Sequence, residues 1–227
     1  MDQPNALVLF DIDGTLIRRA GAHHRQALVD AIRDAAGIES TTEGVNTAGM
    51  LDQDILATMM TRAGLTRTAI RRVLPEVMRA AQQIYGRSCP GLESKVCPGV
   101  RRLLARLERR GVVAGLVTGN LTDIGWKKLE RAGLRRYFRF GAFCEVARDR
   151  AGLVRVAMRH ARQQGWLRRG GRVSLIGDHP NDVNAARANG IRAIAVGTGL
   201  VGMDELATHR PDLLIPDLRA LELEMLL

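Results

Sequence analysis

Five short apolar runs, each halted by a small or acidic residue and separated by helix-like sequence, constrain this chain more than any other feature. The run at 6–10 stops at Asp11, 112–117 at Thr118, 172–176 at Gly177-Asp178, 191–196 at Gly197 and 212–215 at Pro216. They are rich in Val, Ile and Leu and do not alternate with polar residues, the pattern of strands covered on both faces and hence of a parallel sheet. A weaker strand is expected at 140–144. Between the runs lie amphipathic patterns. In 98–110, Val100, Leu103, Leu104 and Leu107 fall at the spacing of one buried helical stripe, and Arg101, Arg102, Arg106, Arg109 and Arg110 take the other face. Pro98 suits the first turn of that helix and Gly111 its stop. Residues 151–164 and 181–189 read as further crossover helices. This alternation predicts an α/β fold, a doubly wound parallel sheet with a Rossmann-like core, right-handed crossovers and ligands at the C-terminal strand ends.

One stretch breaks the rhythm. Residues 17–95 hold no strand pattern, only helical patterns near 22–36, 52–63 and 67–86 with a Gly-containing break at 44–49. They are expected to form a small helical domain inserted after the first strand, leaving 1–16 and 96–227 as the core. The chain would return through the Pro/Gly-rich stretch from Cys89-Pro90-Gly91 to Pro98-Gly99. A length of 227 residues suits one core with one insertion.

The net charge of +10 is concentrated in one band: residues 95–172 carry 20 Lys/Arg against 5 Asp/Glu, whereas 1–94 carry 10 against 11 and 173–227 carry 4 against 8. Such a band steers anionic ligands. It also admits a reading from another class, a nucleic-acid-binding protein whose arginines contact phosphates. Aromatic residues at 4% leave few stacking platforms, which disfavours nucleic acid as a partner. Cys89, Cys97 and Cys144 form no CxxC pair, no cationic leader precedes the first apolar run, and no apolar run is long enough to span a bilayer. A reduced, cytoplasmic protein with no membrane partner is expected.

The residues that end the strands carry the chemistry. Asp11-Ile12-Asp13-Gly14-Thr15 places two carboxylates on one side of an extended chain, with a glycine to turn it. Carboxylates that close require a cation or a shared proton, and a hard, oxygen-preferring Mg²⁺ answers the first need. Thr118-Gly119-Asn120 offers a hydroxyl, a flexible backbone and the N–H groups of a helix start, a cradle for phosphate or simply a helix cap. In Gly177-Asp178-His179-Pro180-Asn181-Asp182, Asp178 ends a strand and Asp182 opens the next helix; the pair would complete a cation site, or Asp182 would only favour the helix dipole.

Taken in order, DxDGT, a strand-end TGN and GDxxxD resemble the haloacid dehalogenase-like hydrolase superfamily, in its phosphoglycolate phosphatase and β-phosphoglucomutase branch. The inserted helices resemble the cap of that branch. The resemblance implies an Mg²⁺-dependent phosphatase of a small-molecule phosphate ester, a monomer or homodimer. Asp11 would be the nucleophile that becomes an aspartyl-phosphate, and Asp13 the general acid/base whose carbonyl also ligates Mg²⁺. Thr118, Gly119 and Asn120 would bind phosphate, Asp178 the metal, and Asp182 would support it from behind. A sugar phosphomutase would keep the same core residues. Two departures stand out. Relatives place a lysine before a proline in the third motif, and this chain has no lysine after Lys128; Arg150 is the expected replacement, ahead of Arg148, with Lys127 and Lys128 next in line. The cap loop that often reads Gly-Lys-Thr-Asp is here Gly49-Met50-Leu51-Asp52, which argues against a small, strongly anionic substrate such as phosphoglycolate. His23 and His24 enter the inserted helices near the site, where they would touch substrate or, as the better reading, be solvated helix residues; His160, Trp126 and Trp166 are expected to be packing residues.

Overall fold

A computed structural model describes residues 5–18 and 22–226. Its centre is a sheet of six strands, β1 (Ala6–Phe10), β2 (Val113–Val117), β3 (Phe138–Ala142), β4 (Arg172–Gly177), β5 (Arg192–Val196) and β6 (Leu213–Ile215), ordered β3-β2-β1-β4-β5-β6. Every neighbouring pair is parallel. All residues of β1 and β2 are buried. Because successive side chains point to opposite faces, helices must cover both sides of these strands, which is why the two read as unbroken apolar runs.

The edge strand β3 begins two residues earlier than the pattern at 140–144 suggested, and Cys144 falls in a 3₁₀ turn instead. Arg139 faces solvent between buried Phe138 and Phe140, so at this edge the run alternates and its start is masked by a charge.

Helix α4 (Val100–Arg109) buries Val100, Leu103, Leu104 and Leu107, as its stripe requires. Pro98 lies outside it, because Gly99 takes a left-handed φ of 85° as the cap. Any side chain at Gly99 would also collide with the backbone at Leu218 and Arg219. Helix α5 (Thr122–Arg131) follows β2, α6 (Arg150–Gln163) precedes β4, α7 (Pro180–Ala188) joins β4 to β5, and the short α8 (Met203–Thr208), which no pattern announced, precedes β6. Three arginines lie over aromatic rings, Arg135 on Trp126, Arg136 on Tyr137 and Arg139 on Trp166. These stacking faces within the basic band are therefore already occupied.

Between β1 and β2 the chain makes its long excursion through α1 (Ala22–Ala36), α2 (Asp52–Arg62) and α3 (Arg67–Ser88), with α1 and α2 both packed on α3. The outgoing and returning passes run side by side: Cys97 N donates to Leu16 O at 3.0 Å and Arg18 N to Lys95 O at 2.7 Å. Cys89, Cys97 and Cys144 are buried and unbridged. No helix among the described residues is long and apolar enough to cross a membrane.

Candidate active site

The register of the sheet decides which loops meet. Phe10 pairs with Leu116 on β2 and with Ile176 on β4, so Asp11, Thr118 and Asp178 leave three adjacent strands at nearly one level. A cavity of about 500 Å³ opens there, between the strand ends and the helical excursion. Asp11, Asp13, Thr118, Gly119, Asn120, Arg150 and Asp178 all line it; Asp182 lies behind, buried.

Gly14 makes the first turn possible, at a φ of 83°. A Cβ at Gly14 or at Gly199 would overlap the Asp178 carboxylate, so the backbone at both positions closes directly onto that acid. Thr15 donates its hydroxyl to Asp178 Oδ1 at 3.2 Å, and Thr198 donates to the Gly14 carbonyl at 2.5 Å.

Asp11, Asp178 and Asp182 present oxygens within 4.8 Å of one another. One guanidinium answers them. Arg150, the first residue of α6, donates Nη1 to Asp11 Oδ1 at 2.9 Å and to the Val117 carbonyl at 3.3 Å. Its Nε lies 3.3 Å from Asp182 Oδ1, close enough for charge attraction but misaligned for a hydrogen bond, so both atoms remain unpartnered. Arg148 is exposed. Of the two arginines that opened this helix in the sequence, Arg150 is the one the fold brings to the acids.

Burial pushes Asp178 well above the usual carboxylate range, and the Asp11 and Asp182 charges add to it against the Thr15 hydroxyl and Arg150. Burial likewise raises Asp182 to about 7, with Arg150 and the His179 N–H opposing. Three crowded acids with one cation between them form a site short of positive charge, and their all-oxygen donor set suits a hard divalent ion.

Asp13 lives in a different field. Burial pushes its carboxyl up, but the Lys128 charge, with hydrogen bonds from Lys128 and Asn120, outweighs burial and holds it below the usual range. Lys128 Nζ donates to the two Asp13 oxygens at 2.8 and 2.6 Å, and Asn120 Nδ2 donates to Oδ2 at 2.8 Å. The Asn120 amide also donates to the Thr118 hydroxyl at 2.7 Å, tying the second motif to the first. The Gly119 carbonyl accepts the Asp52 N–H at 2.7 Å, and a Cβ at Gly119 would strike the Met50 carbonyl.

Sequence reasoning does not assign the contacts of three polar residues found here: it offers Lys128 only as a fallback for Arg150, His24 only as a lesser substrate contact, and Asp52 only as part of the cap loop. Lys128 looks like one more base in a basic band, His24 like a solvated helix residue, and Asp52 like the end of a degenerate loop. No local signal marks them: Asn120 precedes α5, whose cap residue Leu121 is extended, so helical spacing does not carry from Asn120 to Lys128. His23 is exposed, His160 stacks against Phe140 and Trp166, and Trp126 packs on Phe143, all as packing or surface residues.

Comparison with known proteins places this arrangement. A family model for haloacid dehalogenase-like hydrolases matches residues 6–190. The phosphoglycolate phosphatase of Synechococcus elongatus is 30% identical over 209 residues, covering 92% of this chain and 91% of that protein. That of Pseudomonas fluorescens strain Pf-5 is 29% identical over 226 residues, covering 95% and 78%. Among solved structures, CbbY from Rhodobacter sphaeroides in complex with phosphate shares the fold with a TM-score of 0.73 at 20% identity, over 97% of this chain and 98% of the other.

Proposed function

The chain belongs to the haloacid dehalogenase-like hydrolases and is a phosphoric monoester hydrolase; from that membership we propose an Mg²⁺-dependent phosphatase that cleaves a small-molecule phosphomonoester through an aspartyl-phosphate on Asp11. The observation that carries the reading is the division of the strand-end acids into two fields: Asp11, Asp178 and Asp182 around one guanidinium, and Asp13 held by Lys128 and Asn120. A nucleophile and an acid/base must occupy separate environments to play separate roles.

Asp11 attacks phosphorus; its oxygen–phosphorus bond forms while the ester P–O bond breaks, and the electron pair leaves on the ester oxygen. Asp13, held as a carboxylate in the free site, takes up the proton of a monoanionic ester as it binds and passes it to that oxygen. In the second half, water attacks the phosphorus of the acyl-phosphate and gives its proton back to Asp13, releasing phosphate and free Asp11. The Thr118 hydroxyl and the backbone N–H groups of Gly119 and Asn120 bind the phosphate oxygens, and Arg150 holds both Asp11 and the developing phosphoryl charge. Asp11, the Asp13 carbonyl and Asp178 would hold Mg²⁺, which supplies charge neutralisation between nucleophile and phosphate. Asp182, turned to Arg150 and to the His179 N–H at 3.3 Å, supports the site from behind.

Residues 17–95 act as the cap, with the paired passes at 16–18 and 95–97 as its hinge. The cap sets Leu28, Met50 and Ile55 in the cavity wall beside the polar His24, Thr47 and Asp52, and Arg25 is its one arginine among the described residues. The relatives' activity puts phosphoglycolate among the esters to try, and the Met50-Leu51 loop puts larger, less anionic esters beside it. The three unbridged cysteines suit a reducing compartment such as the cytoplasm.

Release of inorganic phosphate from a panel of nucleotides, sugar phosphates and phosphoglycolate with Mg²⁺ near neutral pH tests the reading; no turnover of any ester would overturn it. In the same assay Asp178→Ala is expected to raise the half-saturating Mg²⁺ concentration roughly tenfold or more. An unchanged titration would move the metal carboxylate to Asp182.

A further inference from the structure

A fully buried lysine sits on Asp13, and the reaction scheme above makes no use of it. Lys128 is 0% exposed on the second turn of α5, among the buried apolar residues Ile124 and Leu129. An ammonium is kept in such a place only when its charge and its protons are matched. Here they are: Nζ reaches Asp13 at 2.6 Å, Asn120 Oδ1 at 2.6 Å and His24 Nδ1 at 3.2 Å, three acceptors for three N–H groups. Since an ammonium only donates, His24 Nδ1 must accept, which leaves the ring proton on Nε2, 3.0 Å from Asp52 Oδ2. Asp52 in turn accepts the Leu121 N–H at 2.8 Å.

We propose that Lys128 is a positioning residue for Asp13, and that His24 and Asp52 extend its hold to helices α1 and α2, so that Asp13 is aimed at the leaving oxygen while the helical excursion is seated on the strand ends. The inference rests on Asp13 being the acid/base of the reaction proposed above. Lys128 does not line the cavity, whereas Asp13 does, and the Asp13 side chain remains 39% exposed while Lys128 and Asn120 grip it. Lys128 therefore acts through Asp13 and not on substrate. A carboxyl group gripped by two donors keeps one direction toward the ester oxygen, and small misplacements of a reacting group are costly. The outer support comes from the excursion: His24 lies in the first turn of α1 and Asp52 opens α2, and the Asp52 N–H is bonded to Gly119 between the gripping Asn120 and Thr118.

The test is a leaving-group series. kcat/KM with Mg²⁺ is measured for 2,4-dinitrophenyl, 4-nitrophenyl and phenyl phosphate in wild type, Lys128→Met, Lys128→Gln and His24→Ala. A good leaving group departs without a proton and a poor one needs it, so the loss in Lys128→Met should be graded: roughly a hundredfold on phenyl phosphate and no more than about threefold on the dinitrophenyl ester. Lys128→Gln, which keeps a donor, should recover part of the loss, and His24→Ala should show the same gradient at lower amplitude. A uniform loss across the three esters, the mark of a merely structural lysine, or no loss on phenyl phosphate would overturn the proposal. If Lys128→Met does not fold, the gradient in His24→Ala decides. Rapid acid quenching of wild type in parallel separates the two levels: no phosphoenzyme faults the Asp11 scheme, whereas a phosphoenzyme with an ungraded loss faults Lys128 alone.

Discussion

Asp11→Asn is expected to lower kcat by roughly four decades or more while the fold and the thermal unfolding profile stay intact. The amide keeps the shape of the carboxylate and can still meet Arg150, but it has no anionic oxygen with which to attack phosphorus. Removing one of three acids whose oxygens lie within 4.8 Å of one another relieves repulsion and should not destabilise the protein without metal. Steady-state phosphate release together with circular dichroism checks both halves of the statement. A variant that keeps more than about one hundredth of wild-type turnover would remove Asp11 as the nucleophile, because loss of a nucleophile costs several decades.

Arg150→Ala is expected to lower kcat/KM by about two to three decades, or about 3–4 kcal/mol of transition-state stabilisation. Among the described residues Arg150 is the only cation paired with Asp11 and the only one facing Asp182, and it is almost wholly buried. Its charge therefore acts where water screens it least. Without it the phosphoryl group arrives beside three acids that, among the described residues, have no other cation paired with them. Arg150→Lys should recover part of the loss, since a point charge replaces a fork of donors. Arg148→Ala should cost less than about tenfold, because the exposed Arg148 has no place in the cavity and surface charges contribute little. If the two alanine variants exchanged their effects, the position of the third-motif cation would be wrong by two residues.

The parts of this molecule that were legible in the sequence are those whose function and whose secondary structure share the same few residues. A strand that ends in Asp11-Ile12-Asp13 announces both its direction and its chemistry, and the same holds for Thr118 after β2 and Asp178 after β4. Once a parallel sheet is inferred, these ends are obliged to converge. Arg150 is legible only through the resemblance, whose third-motif lysine has no counterpart after Lys128 and whose place at a helix start Arg150 takes; the fold brings it to Asp11 at 2.9 Å. What stayed hidden depends on distances between elements. Lys128 and His24 are 104 positions apart and meet only because α1 and α5 both close on the same side of Asp13. A lone histidine in one helix and a lone lysine in another look like surface residues until the crossing is known. The edge strand β3 was misplaced for a related reason: Arg139 and Gly141 alternate with its buried residues, so the apolar continuity that marks β1 and β2 is missing there.

The central claim is that phosphate passes through Asp11. Wild-type enzyme mixed with excess ester and Mg²⁺, quenched in acid within the first turnover and digested for peptide mass spectrometry, should carry one phosphate on the peptide that contains Asp11, and the Asp11→Asn protein should carry none. A wild-type burst of product with no phosphorylated peptide, or with the phosphate on a peptide lacking Asp11, would contradict the account.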